Sequence, residues 1–220
     1  MAIIFVDNAS GAQALATTIS ATFPGSPASG DLMIASLFTK SDTSPTNPSG
    51  WATDIEIING TNLDYLRICS KTAGAGESST VTFTGMSGDL GGLGIMRFSG
   101  AANPAIDKTA SSTFATGVTS KTSGTTAATS QGDEVSIVAY GIRNVAITSP
   151  ALTNSFNQKN FLTDSSGGSF ASIIDGYFIE TIIGTKESTA SWTTSADPMG
   201  AIATYKAASA TAGNIMWIKA

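Results

Sequence analysis

The chain has 220 residues, of which 12% are charged and 41% apolar, with a formal net charge of −5. Its 11 basic residues are scattered singly. That excludes the clustered Lys and Arg needed to neutralise phosphates or an anionic membrane surface, so neither nucleic acid nor membrane is expected as a partner. Disorder is also a poor fit, because polarity is carried by Ser, Thr and Gly and mean hydropathy is slightly positive, +0.15.

In chain order, the opening run Ile3-Ile4-Phe5-Val6 lacks a preceding basic region and is too short for a secretion signal. Synthesis in the cytoplasm is therefore the expectation. Residues 17–23 fit an extended strand better than a helix. Further short runs rich in β-branched and aromatic residues fall at 32–38, 54–58, 63–69, 80–84, 93–98, 135–140, 172–183, 189–193, 201–205 and 215–218. Within 80–84, strict alternation places Val81 and Phe83 on one face with Thr on the other, the mark of a half-buried strand. Residues 41–50, 110–130 and 149–168 carry the turn signals, and 85–94 reads as a hairpin loop. The stretch 110–130 is almost wholly Ser, Thr, Ala and Gly. It is either a flexible linker or a Thr-rich edge strand with a wandering connection, and Phe114 and Val118 favour the strand. No long helix is expected. Cys69, the single cysteine, lies in an apolar run and reads as a buried, inert thiol.

The halves of the chain echo each other. Gly30-Asp31 followed by an apolar run matches Gly132-Asp133. Ser79-Thr80-Val81-Thr82-Phe83-Thr84 matches Ser188-Thr189-Ala190-Ser191-Trp192-Thr193. The run 94–101 matches 201–208. Each half is either a separate small sandwich or a supplier of related strands to one two-sheet body. The second is favoured, because five or six strands alone give a thin core. The expected fold is all-β: a single antiparallel β-sandwich over 1–220, jelly-roll-like, with an internal pseudo-repeat of halves near 25–108 and 131–208. Residues 110–130 would connect the halves, and 209–220 would form a final strand or an arm. Phe83, Phe98, Trp192 and Tyr205 would lie between the sheets.

Pro27, Gly30-Asp31, the strand at 32–38, Pro48-Ser49-Gly50-Trp51, the run 65–76, the alternating 80–84, and 94–98 followed by Asn103-Pro104-Ala105-Ile106-Asp107 form an ordered series. The series resembles a recurrent family of phage virion and bacterial surface β-sandwich domains. A second, looser round follows from Gly132 to Ala208. It lacks the Gly-Trp pair, and Leu152-Thr153-Asn154-Ser155-Phe156 stands in its place. The resemblance implies a non-enzymatic module of tailed-phage structural proteins: head decoration or cement proteins, fibres and tail appendages.

The residue inventory is poor in catalytic chemistry. With no histidine and one cysteine there is no Ser-His-Asp or Cys-His centre and no zinc set, and no cofactor or metal is expected. Asp54, Glu56 and Asp64 are the carboxylates a glycosidase would need to gather in one cleft, but a solvated strand face explains them more simply. The loop Asp164-Ser165-Ser166-Gly167-Gly168 offers oxygen ligands without a calcium-loop consensus. Trp51 is either a core plug or a sugar-stacking residue. Ile3 and Phe5 at one end, and Met216 and Trp217 at the other, are candidate interface residues. The expected role is a capsid decoration or cement protein of the virion. Its partner would be the major capsid protein or another virion protein, and it would act as a homo-oligomer, with a trimer as the natural guess. The alternative is a fibre or appendage module that recognises a host-surface glycan through Trp51.

Overall fold

In the computed structural model, which describes residues 2–61 and 63–209, fourteen strands and no helix are found among the described residues. The first half forms β1 (Ile4–Ala12), β2 (Ile19–Thr22), β3 (Leu32–Lys40), β4 (Ala52–Asn59), β5 (Asp64–Thr72), β6 (Thr80–Phe83) and β7 (Gly91–Ser99). The second half forms β8 (Ala101–Ser112), β9 (Val118–Thr122), β10 (Glu134–Arg143), β11 (Ala151–Leu152), β12 (Asn157–Ser166), β13 (Ser169–Ile179) and β14 (Thr189–Ala207). All named pairings are antiparallel.

Each half makes its own sheet. The first is ordered β1-β7-β3-β5-β4. In the second, the end of β14 lies between β8 and β10, giving β8-β14-β10-β13-β12. These orders correspond strand for strand. Each sheet also carries a narrow ribbon on its outer face: β2 paired with β6 over the first, and β9 and β11 paired with the start of β14 over the second. The body is thus an all-β sandwich of two packed sheets with an extra layer outside each.

This layering explains the burial patterns. β3 and β10 have sheet on one side and ribbon on the other, so they are buried along essentially their whole length and read as continuous apolar runs. The inner core joins Ile34, Phe38, Leu66 and Phe98 of the first sheet to Val135, Ile137, Ile173 and Tyr205 of the second. Each fully buried Leu, Ile or Phe contributes about 1.5–3 kcal/mol to this layer. Phe83 and Trp192 are not between the sheets, contrary to expectation. Phe83 packs under the first ribbon with Ile19, Met33 and Trp51, and Trp192 under the second with Tyr140, Phe156 and Ile174. The alternation in 80–84 fixed which face of the strand is apolar, but not which layer it seals.

Large side chains of one sheet enter hollows left by glycines of the other. A Cβ on Gly141 would lie 2.1 Å from the Phe38 ring, one on Gly92 2.6 Å from Ile173, and one on Gly94 1.9 Å from the Asp175 carboxylate. The sheets interdigitate at native density because these positions have no side chain.

Four further expectations need correction. Of residues 85–94, 85–90 carry the chain from ribbon strand β6 to sheet strand β7 and 91–94 already belong to β7, so the segment is a crossing between layers and not a hairpin. The predicted strand 172–183 ends at Ile179, and 189–193 and 201–205 belong to the one long strand β14. Strand β12 lies within 149–168, where turns are expected, and the last three residues of strand β8 lie within the expected connection 110–130. Both are polar edge strands, and a mostly exposed strand gives little apolar alternation. Finally, beyond β9 the segment 123–129 is neither a free linker nor a ladder strand. Ser123, Thr126 and Thr129 are buried at a three-residue period, the period of an extended polyproline-type chain. Each donates its N–H to a carbonyl, of Ser188, Lys186 and Gly184 in turn (2.9, 2.9 and 3.1 Å). Each hydroxyl also accepts the N–H of the same partner (3.1, 2.9 and 3.3 Å).

Candidate interaction surface

The termini were the first candidates. Ile3 is only 4% exposed and belongs to the inner core. Phe5 stacks on Tyr177 of β13, with centroids 4.9 Å apart and planes at 11°, and meets Phe98 edge-on at 5.7 Å. The Lys159 ammonium caps the pair, 4.3 Å from the Phe5 ring and 5.3 Å from the Tyr177 ring. Ile3 is therefore spent in the inner core, while Phe5, half-buried, packs β1 against Lys159 of β12 and Tyr177 of β13. Their neighbours Ile4 and Val6 point outward and are exposed. Met216 and Trp217 lie outside the described residues, as does nearly all of the 209–220 segment.

Trp51 is 9% exposed and packs in the outer core of the first half with Ala73, Phe83 and Met86. It presents no free face for stacking. The turn that delivers it is Pro48-Ser49-Gly50-Trp51, closed by the Trp51 N–H donating to the Pro48 carbonyl (3.2 Å), with Gly50 at φ +78°. The second half repeats this geometry without the Gly-Trp sequence. The Phe156 N–H donates to the Thr153 carbonyl (3.3 Å), and Ser155 takes φ +62°. Phe156 is thus the counterpart of Trp51, one residue ahead of β12 as Trp51 is ahead of β4.

The carboxylates that sequence reading set side by side are held apart by different partners. Asp54 sits at a bulge in β4 and accepts a hydrogen bond from the Tyr205 hydroxyl of the second sheet (2.7 Å). Burial pushes its pKa up, partly offset by the Tyr205 and Ser70 hydroxyls. Glu56 pairs with Arg67. Asp64 also has its pKa raised by burial, against the pull of Arg143, which crosses from the second sheet at 2.9 Å. The Asp164 carboxylate crosses to accept the N–H groups of Ala14 (2.9 Å) and Gly91 (3.1 Å). The Gly167-Gly168 turn beside it, with both residues at positive φ, closes a two-residue hairpin. Among the described residues, no group of three or more His, Cys, Asp and Glu side chains is placed to hold a metal ion. Asp54, Asp64 and Asp164 act as links between the two halves.

Exposed apolar side chains also include Leu15, Ile58 and Phe161, but the most exposed lie on the segment between β13 and β14, which also lines one side of a cavity. Ile182 and Ile183 are adjacent and 71% and 60% exposed. They stand on a stretch anchored by the hydroxyl ladder to 123–129 and by the Lys186–Glu180 ion pair. Sequence reading absorbed them into a strand, and Glu180-Thr181, which breaks the apolar run, was the only signal against it. Beside them is a cavity of about 360 Å³ floored by the rings of Phe156 and Phe178 (centroids 5.9 Å apart) and walled by Asn154, Thr185, Lys186 and Glu187. No family model matches the chain, and no curated protein or solved structure matches it.

Proposed function

We propose that this chain is a non-enzymatic virion structural protein, a capsid decoration or cement protein of a tailed phage that stabilises the head by burying surface against the coat. The observation that carries the reading is the exposed pair Ile182 and Ile183, held on a pinned segment of a body in which the buried acids Asp54 and Asp64 are engaged by Tyr205 and Arg143 across the sheets. Adjacent β-branched side chains exposed on an anchored stretch lose little conformational entropy when covered, which suits an apolar anchor at an interface. The low charge of the chain lowers the desolvation cost of the surrounding rim. Its partner in this reading is the major capsid protein, and it binds as a symmetric trimer.

The test uses particles lacking the protein. Adding back the wild-type chain should raise the temperature at which the heads release DNA, at a fixed copy number per particle. The double variant Ile182→Asp/Ile183→Asp should keep its fold and lose particle binding. A wild-type chain that neither binds the heads nor changes their stability ends the proposal.

A further inference from the structure

The two halves treat one equivalent position in opposite ways. The register Ala52↔Ser70 in the first half and Asn157↔Tyr177 in the second sets Trp51 beside Lys71, and Phe156 beside Phe178. By the same logic Thr22↔Thr80 and Thr122↔Thr189 make Glu77 the counterpart of Lys186. In the first half the place is plugged. The Lys71 ammonium donates to the Ser49 carbonyl (3.2 Å) and to Glu77 (2.7 Å), and its side chain packs against Gly50. In the second half the plug is gone. A phenyl ring replaces Lys71, and Lys186 turns away to pair with the buried Glu180 and the Ile182 carbonyl. What remains is the cavity over Phe178.

From this geometry we infer that the cavity is a binding site for an uncharged sugar. Its volume, about 360 Å³, lies within the range of small-ligand sites. Its floor includes the half-buried ring of Phe178, which suits the C–H face of a pyranose ring. Its walls carry the acceptors of Asn154, Thr185 and Glu187, beside Lys186, whose ammonium is paired with Glu180. Asn154 donates to the Glu187 carbonyl (2.9 Å), and the Glu187 carboxylate accepts from Thr125. No hydrogen bond among the described residues engages Asn154 Oδ1, Glu187 Oε1 or the Thr185 hydroxyl, and all three residues are exposed at the rim. Ring hydroxyls donate to such acceptors. An anionic sugar or a phosphate meets the Glu187 carboxylate, and the one nearby ammonium is already committed to Glu180. The site does not depend on whether the chain is carried on a virion.

The experiment is saturation-transfer NMR on the full-length chain with glucose, galactose, mannose, N-acetylglucosamine and N-acetylgalactosamine as probes. N-acetylneuraminic acid, inorganic phosphate and choline serve as charged controls. At least one neutral sugar should receive saturation and the charged probes none. Phe178→Ala, and independently the rim variants Asn154→Ala and Glu187→Ala, should each weaken the binding about tenfold. The rim variants keep the test decisive should Phe178→Ala fail to fold. Silence from every neutral sugar, binding that survives the rim variants, or a preference for choline or for an anion overturns the proposal.

Discussion

The carboxylate of Asp175 occupies the space that a side chain on Gly94 would need, so one sheet carries a buried acid seated in a hollow of the other. The acid is held by the Asn160 backbone N–H (3.1 Å) and by its side-chain amide (2.9 and 3.1 Å). Asn160 in turn accepts from Asn8 of β1 (2.9 Å). A methyl group at position 94 must displace Asp175 or part the sheets, although the backbone there has no unusual φ. Gly94→Ala should therefore cost about 1–3 kcal/mol or more in denaturant unfolding. Asp175→Ala should suppress much of that cost in a double-mutant cycle. Additive effects would mean that the hollow relaxes.

No ion pair among the described residues reaches Asp175, and burial raises its pKa to about 7 against the opposing hydrogen bonds from Asn160 and Ser36. The folded chain thus keeps a proton that the unfolded chain releases above about 4. From this group alone, stability is greatest below the unfolded pKa, falls as pH rises toward 7, and is level above it. Asp175→Asn should flatten that decline, so variant and wild type should differ most at pH 8 in urea melts at a series of pH values. A wild-type profile that does not fall between pH 4 and 7 faster than the variant's contradicts this account.

The hydroxyl ladder makes a prediction about a segment that looks inert in sequence. Thr126→Val keeps the shape but leaves the Lys186 N–H without its acceptor, and should cost about 1–2 kcal/mol. Ala128→Thr, at an exposed step of the same period, should change stability by only about 0.5 kcal/mol or less. Hydrogen exchange at the Lys186 amide should quicken in the first variant and not in the second.

Cys69 is fully buried, and its thiol is pushed up to about 12, chiefly by burial. A thiol-reactive dye should therefore leave it unmodified at pH 8 in the folded chain and label it stoichiometrically in denaturant. Rapid labelling of the native chain would show that the first sheet opens.

Much of this architecture is written in local pattern. Short β-branched runs, Gly-Asp turns and the alternation at Thr80–Phe83 specify extended structure and its apolar face, because a strand's side chains alternate whatever its partners are. The matched runs of the two halves likewise fall on strands at matching places: β3 and β10, and β7 and the end of β14.

Only the assembled structure decided which layer each face would seal. Phe83, Phe98, Trp192 and Tyr205 are alike as apolar residues on strands, yet two lie under ribbons and two between the sheets. Interior polar links such as Asp164 to Gly91 join residues 73 apart, and no local signal announces them. Polar edge strands escaped notice because they bury too little to need alternation. The cavity over Phe178 exists because a lysine in one half corresponds to a phenylalanine in the other, and that correspondence becomes visible only when ladder registers are compared. Local chemistry sets the conformation of a segment, whereas the free energy of packing sets its partner, and packing is a property of residues far apart in the chain.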